Sequence, residues 1–294
     1  MTFSIVARDP ASGEFGVAVQ SYFLGAGAAV PWARPGVGAV ATQAFTEPSY
    51  GPRCLDLLAA GASSADALAE AVAADPTPFV RQVGVVGPTG QGAAHTGPGC
   101  IGHAGHACAE GFAVQANMMA SPAVWPAMAQ AYTSAEGPLA RRLLSALNAA
   151  QAAGGDARGV KSAAILVVGA QPGDGRLIDV RVDYSDDPLG ELARLLDAAE
   201  AYRQFNTAIE SLWRGDARTA RDRVEAGLAL LPGDKNLRMI HAAALLAGGD
   251  VEGGRNELRT LLADQPSAEV VVRGFAATGT IPLPDGTNID DLIG

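Results

Sequence analysis

The first apolar run of this chain is Thr2-Phe3-Ser4-Ile5-Val6-Ala7-Arg8-Asp9, and it indicates where the fold begins. Its apolar and β-branched residues favour a β-strand. Gly13 follows in a short polar stretch, and the next run is Glu14-Phe15-Gly16-Val17-Ala18-Val19-Gln20-Ser21. Two such runs joined by a glycine-containing turn predict an antiparallel β-hairpin at the start of the fold.

Thr2 would become the N-terminal residue on removal of Met1, which small second residues generally permit. It would then carry a hydroxyl and a free α-amine, a nucleophile and a base on one residue. Threonine also follows methionine in many proteins as an ordinary first strand residue. The dipeptide alone therefore leaves both interpretations open.

The composition excludes several classes of protein. Of the 294 residues, 48% are apolar and 18% charged, which favours a folded chain over a disordered one. The net charge is −10 and there is no long block of Lys or Arg, so a nucleic-acid partner is not expected. Short apolar runs broken by Gly and Pro predict no membrane span. Residues 1–20 lack a signal-peptide pattern, and three cysteines make no disulfide framework, so we expect a cytoplasmic location.

Up to about residue 187, strand-like runs alternate with pairs of helices. Further strands are expected at 36–43, 80–86, 92–95, 100–107, 111–117, 163–168 and 177–182. Helices are expected at 50–60, 65–74, 122–132 and 138–152, with Ser49, Ser63 or Ser64, and Ser121 as N-caps. Hairpins separated by helix pairs favour an α/β fold of four layers, in which two antiparallel sheets lie between two layers of helices.

From about residue 189 the pattern is purely helical and repeats. Gly215-Asp216 recurs as Gly249-Asp250, and Pro232 recurs as Pro266, both 34 residues later. A helix, a Gly-Asp turn, a second helix and a closing Pro at this period resemble the tetratricopeptide repeat. We therefore predict domains at 1–187 and 188–279, followed by an irregular tail at 280–294.

Three longer stretches resemble a bacterial family known as domain of unknown function number 1028. They are Met1-Thr2-Phe3-Ser4-Ile5-Val6-Ala7-Arg8-Asp9-Pro10, Val30-Pro31-Trp32-Ala33-Arg34-Pro35-Gly36-Val37-Gly38-Ala39-Val40-Ala41-Thr42-Gln43-Ala44 and Gly154-Gly155-Asp156-Ala157-Arg158-Gly159. The resemblance implies the αββα sandwich of N-terminal nucleophile (Ntn) hydrolases over residues 1–186. It also implies a hydrolase of amide or related carbonyl bonds, in which the Thr2 hydroxyl attacks the carbonyl and the α-amine of Thr2 takes the proton.

The expected substrate is a small amide or peptide-like molecule, with no cofactor, and the chain is expected to be a homo-oligomer. An efficient base at neutral pH needs an α-amine whose pKa lies below the usual value of about 7.7–8.0, and a nearby cation lowers it. Arg34, or else Arg8, is a candidate for that cation. Because a late loop often approaches the N-terminus in Ntn folds, Asp156 is a candidate to anchor the ammonium, with Ser162 beside it.

Substrate-binding candidates lie where strands end. Gln43 and Ser49 flank the junction of a strand with a helix N-terminus, where backbone N–H groups collect and favour an anionic oxygen. Ser49 is equally explained as a helix cap. Gln115 and Asn117 alternate along one strand, so both would face the same side and line a pocket or tie down a loop.

Two other functions compete with the Thr2 hydrolase. Cys100, His103, His106 and Cys108 offer soft and borderline ligands for a metal-dependent hydrolase, although alternation along a strand would separate His103 from the others, and we assign no metal site. The helical repeats would instead recruit a protein partner in a non-catalytic binding protein. No Walker A loop, dinucleotide fingerprint or H-E-x-x-H sequence occurs.

Overall fold

The structure is a computed structural model that describes residues 2–294. The chain divides into two compact units, one through Leu196 and the other Asp197–Gly294. The ten strands of the described chain all lie in the first unit. They are β1 (Thr2–Arg8), β2 (Phe15–Ser21), β3 (Pro31–Arg34), β4 (Gly38–Ala44), β5 (Arg81–Val86), β6 (Gly92–Thr96), β7 (His103–Ala109), β8 (Phe112–Met119), β9 (Ser162–Val168) and β10 (Arg176–Val182).

The strands form two antiparallel sheets. A six-stranded sheet has the order β10-β9-β2-β1-β8-β7, and a four-stranded sheet has the order β3-β4-β5-β6. The predicted hairpin is confirmed, with Thr2 opposite Ser21 and Arg8 opposite Phe15. Strand β1 is therefore central in the larger sheet, because β8 pairs with its other edge, with Thr2 opposite Asn117.

The described chain contains ten α-helices, the first four of which pack on the two sheets. They are α1 (Tyr50–Ala59), α2 (Ser64–Ala73), α3 (Val124–Ser134), α4 (Leu139–Ala152), α5 (Pro188–Trp213), α6 (Ala217–Leu230), α7 (Lys235–Ala247), α8 (Val251–Asp264), α9 (Glu269–Ala277) and α10 (Ile289–Ile293). None of the described helices is both long enough and apolar enough to span a bilayer.

Central strands with apolar residues on both faces explain the stacking of the two sheets, because alternate side chains of each strand face the other sheet. Val17 and Val19 of the larger sheet share one buried cluster with Ala39, Ala41 and Val86 of the smaller sheet. The other face of the smaller sheet packs on α1 and α2. The outer face of the larger sheet packs on α3 and α4. The first unit is thus a mixed α/β structure in which helices cover both sheets.

Glycines permit the closest of these approaches. A Cβ on Gly16 in β2 would lie 2.6 Å from Leu143 Cδ1 of α4. A Cβ on Gly105 in β7 would lie 2.6 Å from the Trp125 ring of α3. Both separations are well below ordinary carbon–carbon contact, so the helices lie as close to the sheet as they do only because glycine stands at these two positions.

The second unit is helical, and its helices repeat with the period seen in the sequence. Helix α8 begins and ends 34 residues after α6 does, and α9 begins 34 residues after α7. Asp216 and Asp250 cap α6 and α8 in the same way, each accepting a hydrogen bond from the backbone N–H three residues on. These side chains satisfy a helix N–H that would otherwise lack a partner, which explains the Gly-Asp turns.

Some local predictions differ from the structure. Strand β3 was not expected, and Cys100 lies outside β7 because Gly102, with φ of 66°, turns the chain before the strand begins. Ser121 does not cap α3; its hydroxyl accepts from the Ala123 N–H in the preceding turn. The segment expected to be irregular, 280–294, contains α10, whose Leu292 is buried in the core of the second unit.

Candidate active site

Thr2 stands at the first position of β1, with only 5% of its surface exposed. Its Oγ1 lies 3.0 Å from the Ser21 Oγ, across the hairpin. Ser21 Oγ also accepts a hydrogen bond from the Phe23 N–H at 3.0 Å. The Thr2 hydroxyl is therefore held at a defined position by a second hydroxyl that the strand register places opposite it. Met1, whose removal we expect, lies outside the described residues.

The carbonyl of Thr2 is held by two side-chain amides. Gln43 Nε2 donates to it at 3.1 Å, and Asn117 Nδ2 donates at 3.3 Å. Both amides also donate to Gln82 Oε1, at 2.7 and 2.9 Å respectively. Strands β4, β5 and β8 thus fix the backbone of the first strand residue from between the two sheets. Three amides would be costly there unless they were hydrogen-bonded to each other.

Ser4 and Gln115 extend this network along β1. Ser4 Oγ donates to Gln43 Oε1 at 2.6 Å and accepts from Gln115 Nε2 at 2.6 Å. Gly84 of β5 makes room for Gln115, because a Cβ there would lie 2.2 Å from Gln115 Oε1. Two of the predicted substrate-binding residues, Gln43 and Gln115, are fully buried and bond to protein groups.

Left-handed backbone follows two of these amides. Ala44, next to Gln43, has φ of 71°, and Met118, next to Asn117, has φ of 57°. They are the non-glycine residues with positive φ among the described residues. Such a conformation costs about 1–2 kcal/mol for an L-residue. Backbone strain of this kind tends to concentrate at functional sites.

Both strained residues border cavities. A cavity of about 450 Å³ is lined by Thr2 and Ser21 and by the segments 23–26, 29–30 and 44–46. A smaller cavity, of about 170 Å³, is lined by Ala44, Asn117 and Met118, and also by Cys100. The larger volume lies within the range that small-molecule sites usually occupy.

Asp156 and Ser162 form hydrogen bonds with the backbone of the segment that lines the cavity. The side chain of Asp156 is fully buried, and its Oδ2 accepts from the Tyr22 N–H at 3.2 Å and from Arg158 Nη2 at 3.0 Å. Ser162 Oγ donates to the Phe23 carbonyl at 2.6 Å and accepts from the Ala26 N–H at 3.3 Å. Both residues therefore hold the segment that begins at Tyr22, directly after Ser21, whose hydroxyl contacts Thr2.

The structure does not bring Arg34 or Ser49 to the Thr2 cavity. Arg34 ends the edge strand β3 and pairs with Asp56 of α1 at 2.7 Å. Ser49 precedes α1 without a side-chain capping hydrogen bond and borders a separate cleft beside Arg53. Arg34 and Ser49 are both close to β4, but their side chains lie beside residues of α1.

The cysteine and histidine cluster does not assemble a ligand set. Within residues 2–294, no group of three or more His, Cys, Asp or Glu side chains lies close enough to hold a metal ion. Cys100 Sγ contacts the Arg81 carbonyl, whereas His106 Nδ1 lies 2.8 Å from Thr96 Oγ1. Burial raises the pKa values of the Cys100 and Cys108 thiols. Burial, and then the neighbouring His95, lower the pKa of His106.

Ser21 and Gln82 were missed from the sequence although each leaves a signal there. The hairpin register pairs residues whose numbers sum to 23, so the centre of the turn would have placed Ser21 opposite Thr2. Gln82 is a polar residue in the apolar run of β5. A fully buried glutamine in such a run requires hydrogen-bonding partners from another strand, which here are Gln43 and Asn117.

Comparison with known proteins places this fold in a family. The crystal structure of a protein from Silicibacter pomeroyi assigned to DUF1028 is 32% identical and has a TM-score of 0.63, covering 67% of this chain and 85% of that one. No curated protein matches the sequence. Residues 2–192, which include every residue of the Thr2 site, match the family of unknown function DUF1028. The chain therefore belongs to the DUF1028 family.

Proposed function

We propose that this protein is an N-terminal nucleophile amidohydrolase in which Thr2, freed of Met1, attacks an amide or related carbonyl. The observation that carries the proposal is the position of Thr2: its hydroxyl lies 3.0 Å from the Ser21 hydroxyl on the wall of a cavity of about 450 Å³. The stacked antiparallel sheets with outer helices are consistent with the αββα sandwich of Ntn hydrolases, and the proposal includes that assignment for residues 1–187.

The reaction would proceed in two steps. Thr2 Oγ bonds to the carbonyl carbon, and its proton passes to the α-amine, directly or through one water. The amine then gives the proton to the leaving nitrogen as the C–N bond breaks, leaving an acyl ester on Thr2. Water then attacks the ester carbon and gives its proton to the same amine; the bond between that carbon and Thr2 Oγ breaks, the amine returns the proton to Oγ, and a carboxylic acid leaves.

The residues around Thr2 would orient it rather than react. Ser21 fixes the hydroxyl, and Gln43 and Asn117 fix the carbonyl of the same residue, so the nucleophile enters the reaction with little freedom left to lose. Asp156 is positioned to support the segment next to Ser21 through the Tyr22 N–H. Asp156 therefore has a positioning role in this proposal.

The testing experiment compares two threonines on the same cavity wall. Thr2→Ala should abolish amide turnover by the Met1-free protein while the fold is retained. Thr46→Ala removes the same hydroxyl from another lining residue and should retain turnover within a few-fold. Equal activity of the two variants would remove Thr2 from the chemistry.

A second function is supported by the helical unit. Its 34-residue repeat is consistent with a tetratricopeptide-like pair, and a groove of about 650 Å³ lies within that unit, lined by residues that include Asn236, Met239 and Val271. We propose that this groove binds a peptide segment of a protein partner. Val271→Arg, at a lining residue that is 43% exposed, should abolish that binding in the full chain and leave amide turnover unchanged, whereas unaltered binding would exclude the groove.

A further inference from the structure

The larger cavity has a strongly apolar wall. Apart from the hydroxyl-bearing residues Thr2, Ser21 and Thr46, its lining consists of glycine and apolar residues, and none of the described lining residues carries a charge. Val30 and Ala44 form part of the interior, and Val30 is buried. Away from Thr2, a charged group placed against this wall would lose its hydration without gaining a partner, which costs several kcal/mol or more in an apolar environment.

The mouth of the same cavity carries large exposed apolar side chains. Phe23, Leu24 and Phe45 all line it, yet they are 68%, 63% and 59% exposed. Large apolar side chains grouped at the surface are uncommon on soluble proteins and mark sites that bind apolar surface. The apolar wall therefore continues from Thr2 out to the solvent.

Two parts of this mouth are held by hydrogen bonds to buried or charged groups. The Phe23 N–H donates to Ser21 Oγ at 3.0 Å, and the Phe23 carbonyl accepts from Ser162 Oγ at 2.6 Å. Elsewhere in the lining, the Phe45 carbonyl accepts from Arg81 Nη1 at 2.6 Å. The positive φ of Ala44 directs the chain from the buried Gln43 to the exposed Phe45. The mouth is thus largely formed before a ligand arrives, which reduces the entropy lost on binding.

Resting on the proposed function, we infer that the acyl half of the substrate is an uncharged, extended apolar group. In this arrangement Thr2 and Ser21 form the inner end of the cavity, where the carbonyl carbon must lie. The acyl chain then follows Ala29 and Val30 toward Phe23 and Phe45. A carboxylate or ammonium on that chain would lie against apolar side chains and would be rejected.

Hydrolysis of a series of 4-nitroanilides tests this inference, because the leaving group is kept constant. We expect kcat/KM of the Met1-free protein to rise by about threefold to fourfold for each added methylene between acetyl and hexanoyl. The succinyl anilide should be at least about tenfold poorer than the uncharged butanoyl anilide of equal length. A profile that peaks at acetyl, or prefers succinyl, would overturn the inference and leave the Thr2 mechanism intact.

Two neighbouring alanines provide a matched pair of variants. Ala29 lines the cavity, whereas Ala28 is exposed and lies outside its lining. Ala29→Phe should move the preferred acyl length to shorter chains, and Ala28→Phe should leave the profile as it is. Identical profiles for both variants would show that the acyl chain does not follow this wall.

Failure of the Thr2 mechanism can be distinguished from failure of the acyl-chain inference. If no anilide were hydrolysed and no acyl group appeared on Thr2, the proposed hydrolase would fail, and direct binding would then decide the nature of the cavity. In calorimetry, octanamide should bind at least about tenfold more tightly than acetamide or succinamate. Equal or weaker binding of octanamide would overturn the inference.

Discussion

Thr2 and Ser21 face each other across the first hairpin, with their hydroxyl oxygens 3.0 Å apart. This pair connects the two features of the site, because Ser21 also binds the Phe23 N–H that begins the cavity wall. The nucleophile and the wall are therefore coupled through one side chain. Four consequences of this arrangement, and of the strained and buried residues near it, are open to measurement.

Ser21→Ala removes the hydroxyl that orients Thr2. We expect kcat to fall by about tenfold or more, because the nucleophile loses its fixed position. The free energy of unfolding should fall by only about 1 kcal/mol, the usual contribution of one hydrogen bond. Ser162→Ala is the comparison, because Ser162 holds the Phe23 segment and not Thr2, so it should mainly raise KM. A larger effect of Ser162→Ala on kcat would contradict the assignment of Ser21.

Ala44→Gly should relieve the left-handed conformation that follows Gln43. The relief of about 1–2 kcal/mol exceeds the usual entropic cost of glycine, so the free energy of unfolding should stay equal or rise by up to about 1 kcal/mol. Ala41→Gly deletes the same methyl group from the same strand, where the residue is fully buried and paired with Gly84. It should lower the free energy of unfolding by about 1 kcal/mol. Urea denaturation measures both, and the same sign of change for both would exclude stored strain at Ala44.

Elements that depend on interactions between residues close in sequence were predicted correctly, whereas elements that depend on distant parts of the chain were not. Strands β1 and β2 follow from short apolar runs, and helices α2 and α4 from local helix-forming sequence, with Ser63 as the cap of α2; the structure confirms them within one or two residues. Strand β3 was missed because it is only four half-buried residues long and begins with Pro31. Its extended shape depends on pairing with β4 and not on its own composition.

The same distinction between local and distant interactions applies to the residues of the site. Thr2 can be recognised from the sequence because the proposed nucleophile and base, its hydroxyl and its α-amine, belong to one residue. The contact of Gln82 with Gln43 and Asn117 was not visible, because it requires two sheets to stack in one register. The closeness of Arg34 to β4 in sequence suggests a place beside Thr2, but its side chain pairs with Asp56 of α1.

Gly84→Ala should clash with Gln115, because the new Cβ would lie 2.2 Å from Gln115 Oε1. We expect a loss of at least about 1–3 kcal/mol of unfolding free energy, as for other overpacked cores. In the double variant with Gln115→Ala the clash is absent. The two losses should therefore be subadditive by about 1 kcal/mol or more, as contacting residues in a double-mutant cycle are. Simple additivity would mean that Gln115 does not pack on Gly84.

Asp75 predicts a pH dependence of stability. Burial raises its pKa, but hydrogen bonds from Arg81, Thr77 and Tyr50 outweigh burial and lower the pKa from about 3.8 to about 2. A carboxyl whose pKa is lower in the folded state contributes stability above its unfolded pKa and loses it as the pH falls through the folded one. The contribution of about 2 kcal/mol should thus be complete above pH 4 and lost progressively toward pH 2.

Asp75→Asn tests this contribution in urea denaturation at pH 5, 4 and 3. The difference in unfolding free energy between the wild type and the variant should shrink as the pH falls. Asp56→Asn serves as the control, because its ion pair with Arg34 is largely exposed and should contribute little at any pH. Because Arg81 also holds the Phe45 carbonyl, Asp75→Asn should raise KM for apolar amides as well. A difference that is constant from pH 5 to pH 3 would contradict the role of the charge.

Whether Thr2 carries the acyl group is tested most directly by peptide mass mapping after brief reaction with a β-lactone bearing an alkyl chain. Trypsin releases the residues from Thr2 to Arg8 as one peptide. We predict that this peptide lacks Met1 and carries one acyl group, and that Ser21→Ala slows its appearance. Active protein that retains Met1, or an acyl group found on the peptide containing Cys100 instead, would contradict Thr2 as the nucleophile.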